Sequence, residues 1–170
     1  MEKLKFPRND GVLVVLCGAP GSGKTTARNM LVEEYGFLSV CPDDIRKEVL
    51  GDEECQEEGE RIFDIAFSKL RYFLAYGNVV FDATNARSLY RRKLLEETNG
   101  CRTMAIAIVM DTPLDICLEN NRKRRRQVPE DVIERMYRSL EAEPPSTDEG
   151  FDAVMLYDSP SRDICNLFNG

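Results

Sequence analysis

The sequence contains no histidine, although it has 170 residues. This absence excludes Ser-His-Asp and Cys-His nucleophile systems, histidine-ligated zinc and any histidine general base. If the protein is an enzyme, its catalytic base is therefore a carboxylate, a lysine or water.

The sequence also lacks the cysteine spacing of a redox or metal-binding motif. Its cysteines include no Cys-x-x-Cys pair and fall among apolar runs rather than at turns. There are six of them, Cys17, Cys41, Cys55, Cys101, Cys117 and Cys165. We expect reduced, mostly buried thiols rather than a disulfide framework.

Long apolar segments are absent as well. No run approaches the roughly 20 residues that span a bilayer. The N-terminal segment 1–9 is charged and lacks the apolar stretch of a signal peptide. The sequence therefore predicts a cytoplasmic protein that has no membrane-spanning segment.

Length and composition are those of one globular domain. The chain has a mass of 19.4 kDa, and 42% of its residues are hydrophobic and 31% charged. It can bury a core and is too short for two ordinary domains, so we expect one domain over residues 1–170. A uniform surface of net charge −7 would repel nucleic acid, but residues 122–126 read Arg-Lys-Arg-Arg-Arg and concentrate five positive charges.

Short apolar runs alternate with amphipathic segments along the chain. Predicted strands lie at 12–17, 37–40, 79–81, 104–110 and 153–157, and predicted helices lie at 43–50, 87–98, 113–124 and 129–142, with another beginning near residue 24. The segments 51–60 and 143–150 read as solvated loops, with the start of a helix as the alternative for the acidic segment 51–60. This alternation predicts an α/β fold with three layers, in which a five-stranded, mainly parallel sheet has helices on both faces and binds ligands at the carboxyl ends of its strands.

A phosphate-binding motif follows the first predicted strand and precedes a helix. The segment from Gly18 to Thr25 fits the pattern G-x-x-x-x-G-K-[ST] of a P-loop. Its glycines let backbone N–H groups turn toward a phosphate, Lys24 reaches the β- and γ-phosphate oxygens, and Thr25 offers its hydroxyl to Mg²⁺. We therefore predict ATP and Mg²⁺ as cofactors, held by a nucleotide-binding set of Gly18, Ala19, Pro20, Gly21, Ser22, Gly23, Lys24, Thr25 and Thr26.

An aspartate and an arginine follow the second predicted strand. If a helix begins at Asp43, Arg46 lies on the same face, where the carboxylate can take a hydroxyl proton while the guanidinium holds an anionic group of the same acceptor. The alternative is an N-cap aspartate with an ordinary surface arginine.

The third predicted strand ends in Asp82, which is the position of the P-loop carboxylate that contacts Mg²⁺ directly or through water. Apolar runs ending in aspartate are common, so this motif alone is weak evidence for a metal-binding carboxylate. It indicates one here because it follows a P-loop. The basic run 122–126 lies between two predicted helices, and we expect a lid at about 118–130 whose arginines close onto the triphosphate. The alternative is a solvated helix end whose cations complement the helix dipole.

Together these segments resemble a known family. Gly-x-Pro-Gly-Ser-Gly-Lys-Thr, Pro-Asp-Asp-Ile-Arg, Phe-Asp-Ala-Thr-Asn and a basic stretch running into Val-Pro-Glu-Asp-Val-Ile-Glu-Arg-Met-Tyr are similar to the kinase domain of the 5′-hydroxyl polynucleotide kinases. Both the phage-type and the bacterial RNA-repair forms belong to the wider zeta-toxin-like group of P-loop kinases. The resemblance covers roughly residues 12–158.

The resemblance implies a role for each matching residue. Asp43 becomes the general base on the 5′-hydroxyl, and Arg46 the contact to a phosphate of the acceptor. Asp82 becomes an active-site carboxylate near Arg46 or the metal, in the company of Thr84 and Asn85 on the acceptor side. The lid arginine falls on Arg124 with Arg122 as its neighbour at the nucleotide, and Arg125 and Arg126 remain alternatives.

One feature of the phage-type enzymes is missing. Those enzymes join the kinase to a 3′-phosphatase with an Asp-x-Asp-Gly-Thr motif, which does not occur here. The sequence thus predicts either a kinase-only protein or one domain of a longer repair enzyme, with a phosphatase or ligase as a possible partner.

Three functions are compatible with the sequence. The first is transfer of the γ-phosphate of ATP to the 5′-hydroxyl end of RNA or DNA. The second is phosphorylation of a small hydroxyl acceptor such as a sugar nucleotide, and the third is a nucleotide-gated binding module. No aromatic residue stands out as a stacking platform for an acceptor, and we expect Tyr90 and Tyr137 to belong partly to the core.

Overall fold

The computed structural model describes residues 11–51 and 58–158. Its elements follow in the order β1 Val12–Cys17, α1 Lys24–Tyr35, β2 Leu38–Val40, α2 Pro42–Leu50, α3 Gly59–Leu74, β3 Val79–Asp82, α4 Ser88–Glu97, β4 Met104–Met110, α5 Leu114–Arg122, α6 Glu130–Ala142, a 3₁₀ turn Thr147–Glu149 and β5 Ala153–Tyr157. The five predicted strands are therefore present, with bounds that differ by at most one residue from those expected.

The strands form one sheet in the order β2-β3-β1-β4-β5, and all of these neighbours pair in parallel. The central strand β1 is buried along its whole length, which explains its unbroken run of valine, leucine and cysteine. Because parallel strands end at the same edge, the segments after β1, β2 and β3 are brought together there. The predicted α/β fold is confirmed.

Helices cover both faces of the sheet. Alternate β1 residues point to opposite faces: Leu13, Val15 and Cys17 belong to one core cluster, which includes α3, and Val12, Val14 and Leu16 to the other, which includes α1. The molecule is therefore built of three layers, as expected.

The helix α3 is the main element that sequence analysis missed. It spans 16 residues and buries Ile62, Ala66, Phe67, Leu70 and Leu74, a helical spacing. The predicted loop 51–60 overlaps its first two residues, while residues 52–57 lie outside the described part. The segment 143–150 is irregular apart from its 3₁₀ turn, as predicted.

The cysteines are thiols where the structure describes them. Cys17 and Cys117 are buried, Cys41 and Cys101 are partly buried, and all four are free, while Cys55 and Cys165 lie outside the described residues. Within residues 11–51 and 58–158, no helix is both long and apolar enough to cross a membrane.

Candidate active site

The P-loop wraps tightly between β1 and α1. Gly21 and Gly23 have φ angles of 86° and 96°, which favour glycine because other residues are strained there. A Cβ atom on Gly21 would overlap the carbonyl oxygen of Cys117 in α5. The loop therefore depends on glycine, and it leads into the N-terminus of α1, where anions bind favourably.

Neighbouring elements hold the P-loop in place by hydrogen bonds to its backbone. Thr112 Oγ1 donates to the carbonyl of Ser22 at 3.0 Å, and Asn120 Nδ2 donates to the carbonyl of Gly21 at 3.0 Å. The Oγ atom of Ser22 is buried and has no hydrogen-bond partner in the structure. A buried hydroxyl without a partner fits a loop whose hydrogen bonding is completed by a ligand oxygen.

The side chain of Lys24 packs against the P-loop backbone. Its Nζ donates to the carbonyl oxygens of Gly18 at 2.7 Å and Ala19 at 2.9 Å. Burial lowers the pKa of Lys24, and attraction to Asp82 opposes that shift. Two of the three ammonium protons are thus used within the loop, and the charge lies at the phosphate-binding position.

A chamber of about 400 Å³ opens in front of the P-loop. Its polar and charged lining includes Lys24, Thr25, Arg28, Asp43, Asp82 and Arg124. We call this cavity the donor chamber. It brings together a P-loop lysine and threonine, three aspartates and three arginines from four parts of the chain.

Asp82 is the buried carboxylate of the donor chamber. Its Oδ2 lies 3.3 Å from Nη1 of Arg28, which also lies 3.1 Å from Oδ2 of Asp44. Burial raises the pKa of Asp82, while Lys24 and Arg28 oppose the shift. Sequence analysis missed Arg28, although its position four residues after Lys24 on a helix places both on one face.

Thr25 and Asp82 fit a magnesium site of the kind found with nucleotides. The hydroxyl and the carboxylate line the same chamber. Among residues 11–51 and 58–158 no group of three or more cysteine or acidic side chains forms a protein-only metal cage. Mg²⁺ in kinases needs only one or two protein ligands, since phosphate oxygens and water complete its octahedron.

Asp43 and Arg46 share one face of α2, as their spacing predicts. Nη1 of Arg46 lies 2.5 Å from Oδ1 of Asp43. The N-cap of α2 is Cys41, so Asp43 lies inside the first turn and the alternative of an N-cap aspartate is wrong. Arg46 is 7% exposed rather than a surface residue, and its buried Nε has no hydrogen-bond partner.

Thr84 and Asn85 follow β3 and support the loops around them. The carbonyl of Thr84 accepts a hydrogen bond from the Gly18 amide at 3.1 Å. Nδ2 of Asn85 donates to the carbonyl of Leu16 at 2.7 Å, and Asn85 has a φ of 48°. Both residues line the acceptor side of the site, but the amide nitrogen of Asn85 is engaged within the protein.

The basic run begins at the last residue of α5 and leads toward α6, and its role as a lid stays a prediction. Arg124 and Arg126 line the donor chamber. Nε of Arg122 instead contacts Oε1 of Glu130 at 2.7 Å, with the Arg122 side chain 59% exposed, and Arg122 is not among the lining residues. In this structure the Arg122 guanidinium is paired with Glu130, and its contact to the nucleotide stays a prediction.

A larger groove adjoins the donor chamber. It has a volume of about 980 Å³ and shares Asp43 and Asp82 with the chamber. Its walls come from α2, α3, the loop after β3, α4 and α6. We call this cavity the acceptor groove.

Two tyrosines were expected to lie partly in the core. Tyr137 is partly buried and packs against a small apolar cluster. Tyr90 is 58% exposed and lines the acceptor groove, so the expectation for Tyr90 is wrong. The sequence of α4 does not indicate which of its faces is buried, because the exposed Tyr90 is followed directly by the buried Arg91.

Arg91 holds two walls of the acceptor groove together from inside. Its side chain is fully buried, and its Nη2 and Nε donate to the two carboxylate oxygens of Glu149 at 2.6 and 2.7 Å. Nη1 donates to the carbonyl of Asn85 at 2.9 Å and Nη2 to that of Glu143 at 2.6 Å. The loop after β3 is thereby tied to the end of α6. Sequence analysis missed this residue, because an arginine in an amphipathic helix is normally expected on the exposed face.

Comparison with known proteins places this geometry in a family. The family model described as AAA domain matches residues 13–143. The chain is 27% identical over 146 residues to the L-seryl-tRNA(Sec) kinase of Methanococcus maripaludis, covering 83% of this chain and 56% of that protein. It is 32% identical over 118 residues to the adenylate kinase of Mesoplasma florum, covering 62% and 55% respectively. The chain thus spans about half the length of these curated relatives.

Solved structures agree with the sequence relatives. A chain of the Pnkp1/Rnl/Hen1 RNA repair complex superposes with a TM-score of 0.69 and 26% identity, covering 89% of this chain and 48% of that one. A gluconokinase from Sinorhizobium meliloti has a TM-score of 0.60 at 16% identity, covering 94% and 88%, which shows a common fold. The resemblance to RNA-repair polynucleotide kinases is confirmed, and these relatives mark the chain as a P-loop kinase.

Proposed function

We propose that this chain, which belongs to the AAA domain family, is a kinase domain that transfers the γ-phosphate of ATP to a 5′-hydroxyl end of RNA or DNA. The observation that carries the proposal is the position of Asp43 on the wall shared by the donor chamber and the acceptor groove. A carboxylate at that boundary can reach an acceptor hydroxyl while the P-loop holds the phosphate to be transferred.

The reaction follows from this position. Asp43 accepts the proton of the 5′-hydroxyl, whose oxygen attacks the γ-phosphorus of ATP. The bond between that phosphorus and the oxygen bridging to the β-phosphorus breaks, and ADP leaves with the bonding electrons. Arg46, paired with Asp43 and carrying a buried Nε without a partner, holds an anionic phosphate of the acceptor.

Charge on the transferred group is stabilised by cations of the donor chamber. Lys24 serves the β- and γ-phosphate oxygens, and Arg124 closes over them from the lid. Thr25 and Asp82 would hold Mg²⁺, which when bound neutralises charge on the phosphates.

Two of the four named relatives support a nucleic-acid acceptor. One is a chain of an RNA repair complex, and another is a kinase of seryl-tRNA(Sec). Because that relative is a chain of a repair complex, we further propose that this chain works beside a phosphatase or ligase activity, in the same protein or in a partner. We also propose that it works in the cytoplasm.

One observation favours a second candidate, a kinase of a small hydroxyl acceptor such as a sugar nucleotide. The chain has a net charge of −7, which does not attract a long polyanion. The two candidates differ in salt dependence, because a polynucleotide binds more weakly as salt rises and a compact acceptor does so much less.

The test is transfer of labelled γ-phosphate, with Mg²⁺, to a short oligonucleotide that ends in a 5′-hydroxyl. The same oligomer with a 5′-phosphate is the matched control. Label on the first oligomer alone is the expected result. Absence of label on both, with ATP still bound, would refute the polynucleotide proposal and direct the search to small acceptors.

A further inference from the structure

Two aromatic side chains line the acceptor groove and have no part in the reaction described so far. Tyr90 of α4 is 58% exposed and Phe63 of α3 is 37% exposed, and both lie on the groove wall. The ring of Phe63 is backed by the buried Phe67, with their centroids 6.0 Å apart. The groove thus contains two accessible aromatic surfaces, one of them supported by the core.

The charges of the groove do not explain how it would hold an acceptor. Its lining carries arginines and carboxylates in nearly equal number, namely Arg46, Arg87, Arg135 and Arg138 against Asp43, Asp82, Asp131, Glu134 and Glu143. A strand of phosphates therefore gains from single arginines such as Arg46 rather than from a uniformly positive groove. An uncharged part of the acceptor can add to binding beside these contacts.

The size of the groove points to an extended acceptor. Its volume of about 980 Å³ is near the upper limit of pockets that enclose one drug-sized ligand. A sugar-sized acceptor at Asp43 would leave most of this space empty. An acceptor that continues past its reactive hydroxyl would fill it.

We propose that Tyr90 and Phe63 form a nucleobase subsite that stacks the bases of the first nucleotides of a single-stranded 5′-hydroxyl acceptor. The inference rests on the proposed function, because Asp43 marks where the 5′-hydroxyl lies and the following nucleotides enter the groove from there. Every base has a π-face, so such a subsite tolerates any sequence. It favours single-stranded ends, since bases paired within a duplex are already stacked on their neighbours.

Substitutions at the two aromatic positions test the subsite. The measurement is the KM of a 5′-hydroxyl oligonucleotide and the KM of ATP for Tyr90→Ala, Phe63→Ala and the conservative Tyr90→Phe. We expect each alanine to raise the acceptor KM by about 5- to 150-fold, the range of base–aromatic stacking, with the KM of ATP unchanged. Tyr90→Phe keeps the ring and should behave like the wild type.

The matched control is Tyr76→Ala. Tyr76 is 65% exposed, its ring lies 4.9 Å from that of Tyr72 at an interplanar angle of 51°, and it does not line the groove. Its substitution should leave both KM values unchanged.

A second measurement requires no variant of the protein. The wild-type enzyme is given the same oligonucleotide with its first two nucleotides lacking bases, and we expect the acceptor KM to rise as it does for Tyr90→Ala. The outcomes separate the two proposals. If the wild type labels the normal oligonucleotide while Tyr90→Ala, Phe63→Ala and the abasic acceptor all leave the KM unchanged, the subsite is refuted and the proposed function stands. If the wild type labels no oligonucleotide, the proposed function is refuted and the subsite with it.

Discussion

The P-loop beside the donor chamber is shaped mainly by backbone, whereas the acceptor groove is shaped by side chains from five parts of the chain. In the P-loop, glycines with positive φ and carbonyl groups held by Thr112 and Asn120 set the geometry. In the groove, the lining comes from exposed aromatic and charged side chains, and the buried Arg91 fixes the walls.

This difference explains what each region can recognise. A phosphate is the same in every nucleotide, so a fixed backbone cradle suits it. An acceptor varies from enzyme to enzyme, and side chains on a common scaffold can change without altering the fold. The gluconokinase of similar fold at 16% identity illustrates the point.

The largest effect is expected for one arginine of the predicted lid, whose substitution tests whether phosphoryl transfer in the donor chamber depends on that side chain. Arg124 lines the chamber, and an arginine that stabilises the transferred phosphoryl group is worth on the order of 10³–10⁵ in rate. We expect Arg124→Ala to lower kcat at least about 10³-fold. Arg122→Ala breaks an exposed pair with Glu130 and should leave kcat nearly unchanged, since exposed ion pairs contribute little. A larger loss for Arg122→Ala would assign the lid role to that residue instead.

The next effect concerns the anchor of the groove walls. Arg91→Met would leave Glu149 buried without its partner, and breaking a buried pair costs about 3–5 kcal/mol of unfolding free energy. Urea unfolding measures this loss. Arg92→Met on the same helix is the control, because Arg92 makes only long hydrogen bonds of 3.2–3.3 Å at the surface, and it should cost less than about 1 kcal/mol. Equal stabilities of the two variants would show that Arg91 does not anchor the walls.

The smallest effect is expected for a substitution that strains the P-loop backbone, which should weaken ATP binding and leave the acceptor groove unchanged. Gly21→Ala places a Cβ against the Cys117 carbonyl at a φ of 86°, and strain of about 1–3 kcal/mol corresponds to ATP binding weaker by roughly 5- to 150-fold. Calorimetry measures ATP binding directly. Gly36→Ala also introduces alanine at positive φ, but with open space around the new Cβ, and should leave ATP affinity unchanged. ATP affinity equal in the two variants would contradict a backbone-built chamber.

The sequence predicted the chamber much better than the groove. The P-loop has a fixed spacing because backbone geometry dictates where its glycines and Lys24 stand. The order of strands and helices likewise indicates that Asp43 and Asp82, each at the end of a predicted strand, lie at one edge of the sheet. Local rules are sufficient where one short segment builds the feature.

The groove depends on contacts between residues far apart in the chain. Tyr90 is exposed because α4 turns it toward a space bordered by α6, and Arg91 is buried because Glu149 and Glu143 meet it from 58 and 52 residues away. The spacing of residues within α4 does not indicate that these distant residues contact Arg91. The pairing of Arg122 with Glu130 is a similar case, in which a residue eight positions along the chain decides which arginine is left to face the chamber.

The most direct test of the account is the rate of phosphoryl transfer by Asp43→Asn. The substitution keeps the size of the side chain and removes the base at the boundary between the chamber and the groove. We predict that single-turnover transfer to a 5′-hydroxyl oligonucleotide falls by about 10²–10⁴, the usual contribution of a general base, while ATP binding is unchanged. Asp44→Asn, which alters a similarly exposed carboxylate one residue away, should have a far smaller effect. Transfer by Asp43→Asn at the wild-type rate would contradict the role of Asp43 on which the proposed function depends.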